Sequence, residues 1–314
     1  MNDVGPIPDS MDNSFEAPPL TLGQMAWLRF RRHKMAMFGA VLLLFLIMYS
    51  FLGAFIVTED YANQTNTSIR LSAPSSEHPF GTDTIGRDIL ARTIYGGQIS
   101  LVIGFSAVIV MILMGILIGS LSGYFGGKID AILMRITDAI ISIPRIFLLL
   151  VMAKFFGNKI PDIELIGRTF SGSVIVIVLV MGLTSWMPLA RIVRAEFLSL
   201  KNCDFVFAAQ ATGTPTWQII FKHILPNSIA PIIVAATLGV AGAVIGEAYI
   251  SFLGLGVQPP TATWGNMIEG AYNHIESAPW LWIFPGSFIL LTVLSINFVG
   301  DGLRDAFDPR SRSI

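Results

Sequence analysis

The residues best placed to do work in this chain form one polar, turn-punctuated stretch between two apolar segments. It runs Phe207-Ala208-Ala209-Gln210-Ala211-Thr212-Gly213 and, beyond 214–222, His223-Ile224-Leu225-Pro226. Small side chains and a glycine supply neither nucleophile nor base; they suit a close mechanical contact. Two ionisable residues lie in otherwise apolar runs, Arg145 and Glu247. A charge facing lipid costs at least ~2.5 kcal/mol, so both should face protein or a water-filled cavity. For Arg145 the readings are a pathway or partner contact and a structural pairing; for Glu247 they are a substrate or ion contact and a neutral or paired acid inside the bundle.

Enzymatic chemistry has little to stand on. Gly126-Gly127-Lys128 lacks the earlier glycine of a P-loop and continues with Ile129, so nucleotide binding is not expected of this chain. His-Glu-x-x-His and Gly-x-Ser-x-Gly do not occur, and His33, His78, His223 and His274 are too scattered to suggest a metal site. The single Cys203 excludes an intrachain disulfide and a cysteine cluster. No catalytic residue, metal or cofactor is therefore expected.

The elements that position these residues are set by composition. With 53% hydrophobic and 13% charged residues and a mean hydropathy of +0.67, the chain reads as an all-α membrane protein whose partners include the bilayer. Lys+Arg at 20 and Asp+Glu at 21 nearly cancel, which gives no footprint for nucleic acid. Residues 1–20, rich in Pro, Asp, Ser and Asn, read as a disordered tail rather than a cleaved signal, and 21–34 as a basic segment. The body, 35–314, contains expected spans at 35–57, 99–121, 131–153, 171–190, 224–246 and 279–300. Gly115, Gly119 and Gly123 lie four apart, a spacing that lets helices approach closely in lipid. In the third span, Arg135 and Asp138 are three apart and are expected to pair.

Six spans put both termini on one side. Most Lys and Arg fall there too: Arg29 to Lys34, Lys128, Arg135, Arg191, Arg194, Lys201, Lys222 and Arg304 onward. The connection 251–278 has none. The positive-inside rule then places both termini and the connection 191–223 in the cytoplasm. Within that connection Asp204 is expected to N-cap a short helix that Gly213 ends, and Thr214-Pro215-Thr216 to restart a second amphipathic turn with Trp217, Ile220 and Phe221. Five span midplanes carry no charge and no internal repeat is evident, so an ion-coupled transporter or lone channel is the weaker reading. Energy must then arrive from another polypeptide, through a cytoplasmic handle.

Ala208-Ala209, Gly213 and Leu225-Pro226 resemble the loop signature of membrane subunits of binding-protein-dependent ABC importers, Glu-Ala-Ala, three residues, Gly, nine residues, Ile-x-Leu-Pro. Phe207 stands where Glu is common, and His223 where Ile is. His78-Pro79-Phe80-Gly81-Thr82-Asp83 with Gly86-Arg87-Asp88 and Arg92 is similar to the "C" permeases of dipeptide, oligopeptide and nickel importers. So are Gly123 to Asp130, Ser251 to Gly256 with Pro259-Pro260 and Trp264-Gly265, and Gly300 to Asp305 with Asp308-Pro309-Arg310. The resemblance implies a multi-pass subunit of a bacterial or archaeal plasma (inner) membrane, paired with a homologous "B"-type permease. Two ATPase subunits, which use ATP and Mg, would dock on Cys203 to Pro226, and an external binding protein would deliver peptides, or alternatively nickel or a metal chelate, glutathione or another small solute.

Overall fold

A computed structural model describes residues 21–156, 159–165 and 168–308; the expected tail 1–20 lies outside them. The chain opens with α1 (Leu22–Arg32), whose N-terminus is closed by a capping box between Thr21 and Gln24. α2 (Lys34–Gly53) is apolar on every side, as expected of a helix surrounded by lipid and protein. A short α3 (Glu59–Asn63) leads to α4 (Ile89–Phe125), which at 37 residues is about 55 Å long.

This helix starts well before the expected 99–121 span. Its first turns carry polar side chains that reach into the protein: Gln98 Nε2 donates to Ser50 O at 2.7 Å and Arg92 Nη1 to Asn63 Oδ1 at 3.1 Å. The glycine row is the face on which α8 (Trp186–Leu200) packs. A Cβ at Gly115 would fall 2.8 Å from Leu189, one at Gly119 2.6 Å from the Ala190 carbonyl, and one at Gly123 2.5 Å from Phe197 Cβ.

The third expected span, 131–153, is not one straight helix. It comprises α5 (Gly127–Ile141) and α6 (Arg145–Phe156), bent by 87°. Pro144 lies in the break: it donates no backbone hydrogen bond and disfavours helical geometry at Ile143. Nor does Asp138 pair with Arg135; its carboxylate accepts from Arg191 Nη2, which tertiary packing brings against α5.

A hairpin of β1 (Ile163–Leu165) and β2 (Arg168–Phe170) precedes α7 (Gly172–Leu183) and α8 (Trp186–Leu200). Together they form one long span, Gly172–Leu200, that extends past the expected 171–190 because Pro188 falls in the first turn of α8, where its missing N–H is tolerated. After the segment α9 (Asp204–Ala211), α10 (Thr216–Gln218), a π-turn (Ile219–Ile224) and α11 (Leu225–Asn227) come α12 (Ile229–Phe252), α13 (Trp264–Glu269) and α14 (Trp280–Phe307). Among the described residues, five helices are long and apolar enough to cross a membrane, six with the bent α5–α6 pair. The largest buried cluster joins α4, α8, the 206–224 residues and α12, so the polar stretch is rooted in the same core as the spans.

Candidate functional site

The 203–226 segment is a helix-turn-helix with one buried and one exposed side. Cys203, not Asp204, occupies the N-cap, with extended backbone at φ −85° and ψ 151°. Asp204 lies in the first turn, where its carboxylate favours the positive end of the helix dipole. Val206 and Ala209 are buried against Ile219, Ile220 and Ile224, which fixes the angle between the two short helices.

Beyond Thr212 the chain turns back through a Schellman arrangement. Gly213 N donates to Gln210 O and Thr214 N to Ala209 O, both at 3.0 Å, with Gly213 at φ +75°. A Cβ at Gly213 would meet nothing within 4 Å, so the tip of the turn is open on its outer side. Pro215 occupies the N-cap of α10 rather than its first helical position, because its ψ of 146° is extended. The π-turn that follows leads into Pro226. Asn227 Nδ2 donates to His223 O at 2.6 Å and Ser228 Oγ to Ile224 O at 3.1 Å, so carbonyls near the proline are still satisfied.

What the segment presents outward is unusually apolar. Phe207 is 52% exposed, Trp217 56% and Phe221 53%, with Ala208, Gln210, Ala211 and Pro215 also exposed. Lys222 Nζ lies 5.9 Å from the centre of the Trp217 ring. His223 and Leu225 are partly buried. The surface is a shallow aromatic and small-residue face around an open turn, a shape for docking rather than catalysis.

Arg145 is the first residue of α6, at the 87° bend, and its Nη2 donates to Ser185 Oγ at 3.0 Å. Ser185 lies at the break between α7 and α8, so the two interruptions meet through this bond. Arg145 also borders two cavities, one of about 170 Å³ toward Tyr249 and Gly246 and one of about 350 Å³ toward Thr184 and Met187. Glu247 is elsewhere, 1% exposed inside the bundle. Its carboxylate accepts from Ser251 Oγ at 2.6 Å and Ser100 Oγ at 3.1 Å, and Ser100 Oγ in turn accepts from Trp264 N at 3.1 Å. Arg145 and Glu247 thus belong to separate constellations, neither joined to the 203–226 segment.

Sequence reasoning missed the partners of these residues. Ser185 and Ser100 lie 40 and 147 residues from Arg145 and Glu247, so no local spacing could reveal these contacts, whereas Ser251, four residues after Glu247 on the same helix, was within reach of helical spacing. Among the described residues, no group of three or more His, Cys, Asp or Glu is arranged to hold a metal.

These helices define an all-α, multi-span membrane protein. The chain belongs to the family of binding-protein-dependent transport system inner membrane components, whose model matches residues 115–313. Residues 21–74 match the N-terminal transmembrane domain of oligopeptide transport permease C. It is 39% identical over 96% of its length to the dipeptide transport system permease protein DppC of Bacillus subtilis, covering 89% of that protein. To the oligopeptide transport system permease protein OppC of Haemophilus influenzae it is 40% identical, over 93% of this chain and 90% of that one. A putative peptide permease of Brucella suis is 42% identical, with 93% of each covered. Among solved structures, the inward-facing methionine ABC transporter MetNI shares the fold at a TM-score of 0.52 and 22% identity, over 68% of this chain and 94% of that one.

Proposed function

We propose that this chain is the "C"-type permease of an ATP-driven peptide importer. It forms one half of a translocation path with a homologous "B"-type permease. Two ATPase subunits dock on the 203–226 segment from the cytoplasm, and an external binding protein delivers the peptide. The observation that carries the reading is the open Gly213 turn flanked by exposed Phe207 and rooted, through Val206 and Ala209, in the core that α4, α8 and α12 share. A push on that turn is delivered to the spans as a rigid-body movement biased by nucleotide.

The path-lining assignment falls to Arg145, whose position between two cavities suits contact with a peptide's polar groups. The peptide class is supported by the three relatives described above. The test is uptake into proteoliposomes holding all four membrane-associated chains, the binding protein outside and ATP within. Peptide accumulation that requires ATP and this chain is expected. Transport by this chain alone, or uptake of a nickel chelate or glutathione with peptides ignored, overturns it.

A further inference from the structure

At the end of α4 remote from the 203–226 segment, a cavity of about 320 Å³ opens between the 83–88 turn, the first turn of α4 and α13. Arg92 lines it and is only 4% exposed. A guanidinium carries five N–H donors. One amide oxygen engages it, Asn63 Oδ1 at 3.1 Å from Nη1, and among the described residues no carboxylate forms an ion pair with it.

The acids nearest in sequence are committed elsewhere. Asp83 accepts from Arg87 Nε at 2.6 Å and from the amides of Ile85 and Arg87. Asp88 is 2.7 Å from His78 Nδ1 and caps α4 through Ala91 N at 2.8 Å. Buried cations in proteins are ordinarily paired, because water no longer stabilises them. Here the Arg92 side chain borders an open volume, and the two acids that share its lining, Asp83 and Glu269, form no ion pair with it.

We infer that this cavity is a binding site for a single carboxylate, held by Arg92. A planar guanidinium fork matches a carboxylate in two parallel bonds, which an ammonium or a neutral amide cannot reproduce. Glu269, exposed in the cavity lining, opposes a second negative charge and limits the site to monocarboxylates. On the importer reading, and resting on it, the ligand is the free C-terminus of a short peptide passing the outer end of the path.

The experiment uses the complete transporter in lipid nanodiscs without binding protein. Saturation-transfer NMR is recorded with N-acetyl-dialanine and with its C-terminal amide. Transfer to the acid and none to the amide is expected. Arg92→Gln should weaken the acid at least about tenfold, the loss expected for hydrogen bonds to a charged group. Glu269→Gln, at an exposed position that should not affect folding, should tighten it. Equal transfer to acid and amide overturns the site. So does binding that survives Arg92→Gln, or, where that variant fails to assemble, a Glu269→Gln complex that binds the acid no more tightly. Peptide uptake by the unaltered transporter is measured in parallel. Carboxylate binding without uptake would sink the importer reading alone, and uptake without carboxylate-selective binding would sink the site alone.

Discussion

Arg194 grips Asp130 with two nitrogens. Nε and Nη2 each donate to one carboxylate oxygen, the second at 2.6 Å, while Ser122 Oγ donates to the same acid from α4. Nearby, Lys201 Nζ donates to Gly123 O at 2.9 Å. Three helices, α4, α5 and α8, are thereby tied just before the chain leaves α8 for the 203–226 segment. A two-pronged guanidinium contact resists rotation as well as separation, so on the proposed reading this clamp would set the direction in which α8 moves when the 203–226 segment is pushed.

The first prediction concerns this clamp. Both partners are partly exposed, which reduces the energy of the pair. A double-mutant cycle of Asp130→Asn and Arg194→Gln should give a coupling of roughly 1 kcal/mol in detergent melting. Uptake should fall more than stability. Loss of uptake strictly in proportion to folded protein would remove any role in transmission.

Gly213 provides the second. An Ala there must adopt φ +75°, at a cost of roughly 1 kcal/mol, but meets no neighbouring atom. Gly213→Ala should insert and transport at a reduced level. Gly213→Trp should insert normally yet abolish uptake and ATPase stimulation, because its bulk projects where the ATPase is proposed to dock. Normal uptake by the Trp variant would exclude this turn from the contact.

Phe207 gives a sign-specific third prediction. At 52% exposure its removal should alter stability by no more than about 0.5 kcal/mol. With Trp217 and Phe221 exposed on the same segment, the partner surface should be apolar at this point. Phe207→Ala should weaken ATPase coupling, and Phe207→Glu should weaken it further, since an apolar pocket must then desolvate a charge. Recovery of coupling with Glu would mean that the partner presents a cation instead.

These predictions show what could be read along the chain and what could not. The Gly213 turn was legible because its signal is local: a glycine beyond a short helix, with backbone bonds reaching only three to five residues back. The glycine row of α4 was legible as a contact face, but not its partner α8, since the residues it meets carry no mark of pairing. Helices run past the expected spans wherever polar residues continue them inside protein, as Arg92 and Gln98 do in α4. Uncharged runs report exposure to lipid, whereas helices end where backbone bonds end. The Asp138–Arg191 contact followed the same logic: Arg135 was nearer in sequence, yet tertiary placement decided the pair.

Orientation is tested through Cys203, partly buried at the N-cap of α9. In intact cells a membrane-impermeant thiol reagent added outside should leave it unmodified, and should label it once the cells are opened. Labelling in intact cells would invert the proposed topology.

The last prediction separates a structural acid from a pathway acid. Glu247 is joined to α4 through Ser100 and, through the same hydroxyl, to the backbone of α13 at Trp264, whose indole Nε1 donates to Thr93 O at 2.9 Å. Ser100→Ala removes a donor and an acceptor together. It leaves the Trp264 amide and one Glu247 oxygen without this buried partner, a loss of about 1–3 kcal/mol. Glu247→Gln keeps an oxygen for one serine and should cost less. If Glu247 positions helices rather than contacting substrate, both variants should lower the melting temperature while the folded fraction keeps its apparent KM for peptide. A raised KM with unchanged melting in Glu247→Gln would move this acid into the path and leave Arg145 as only one of its linings.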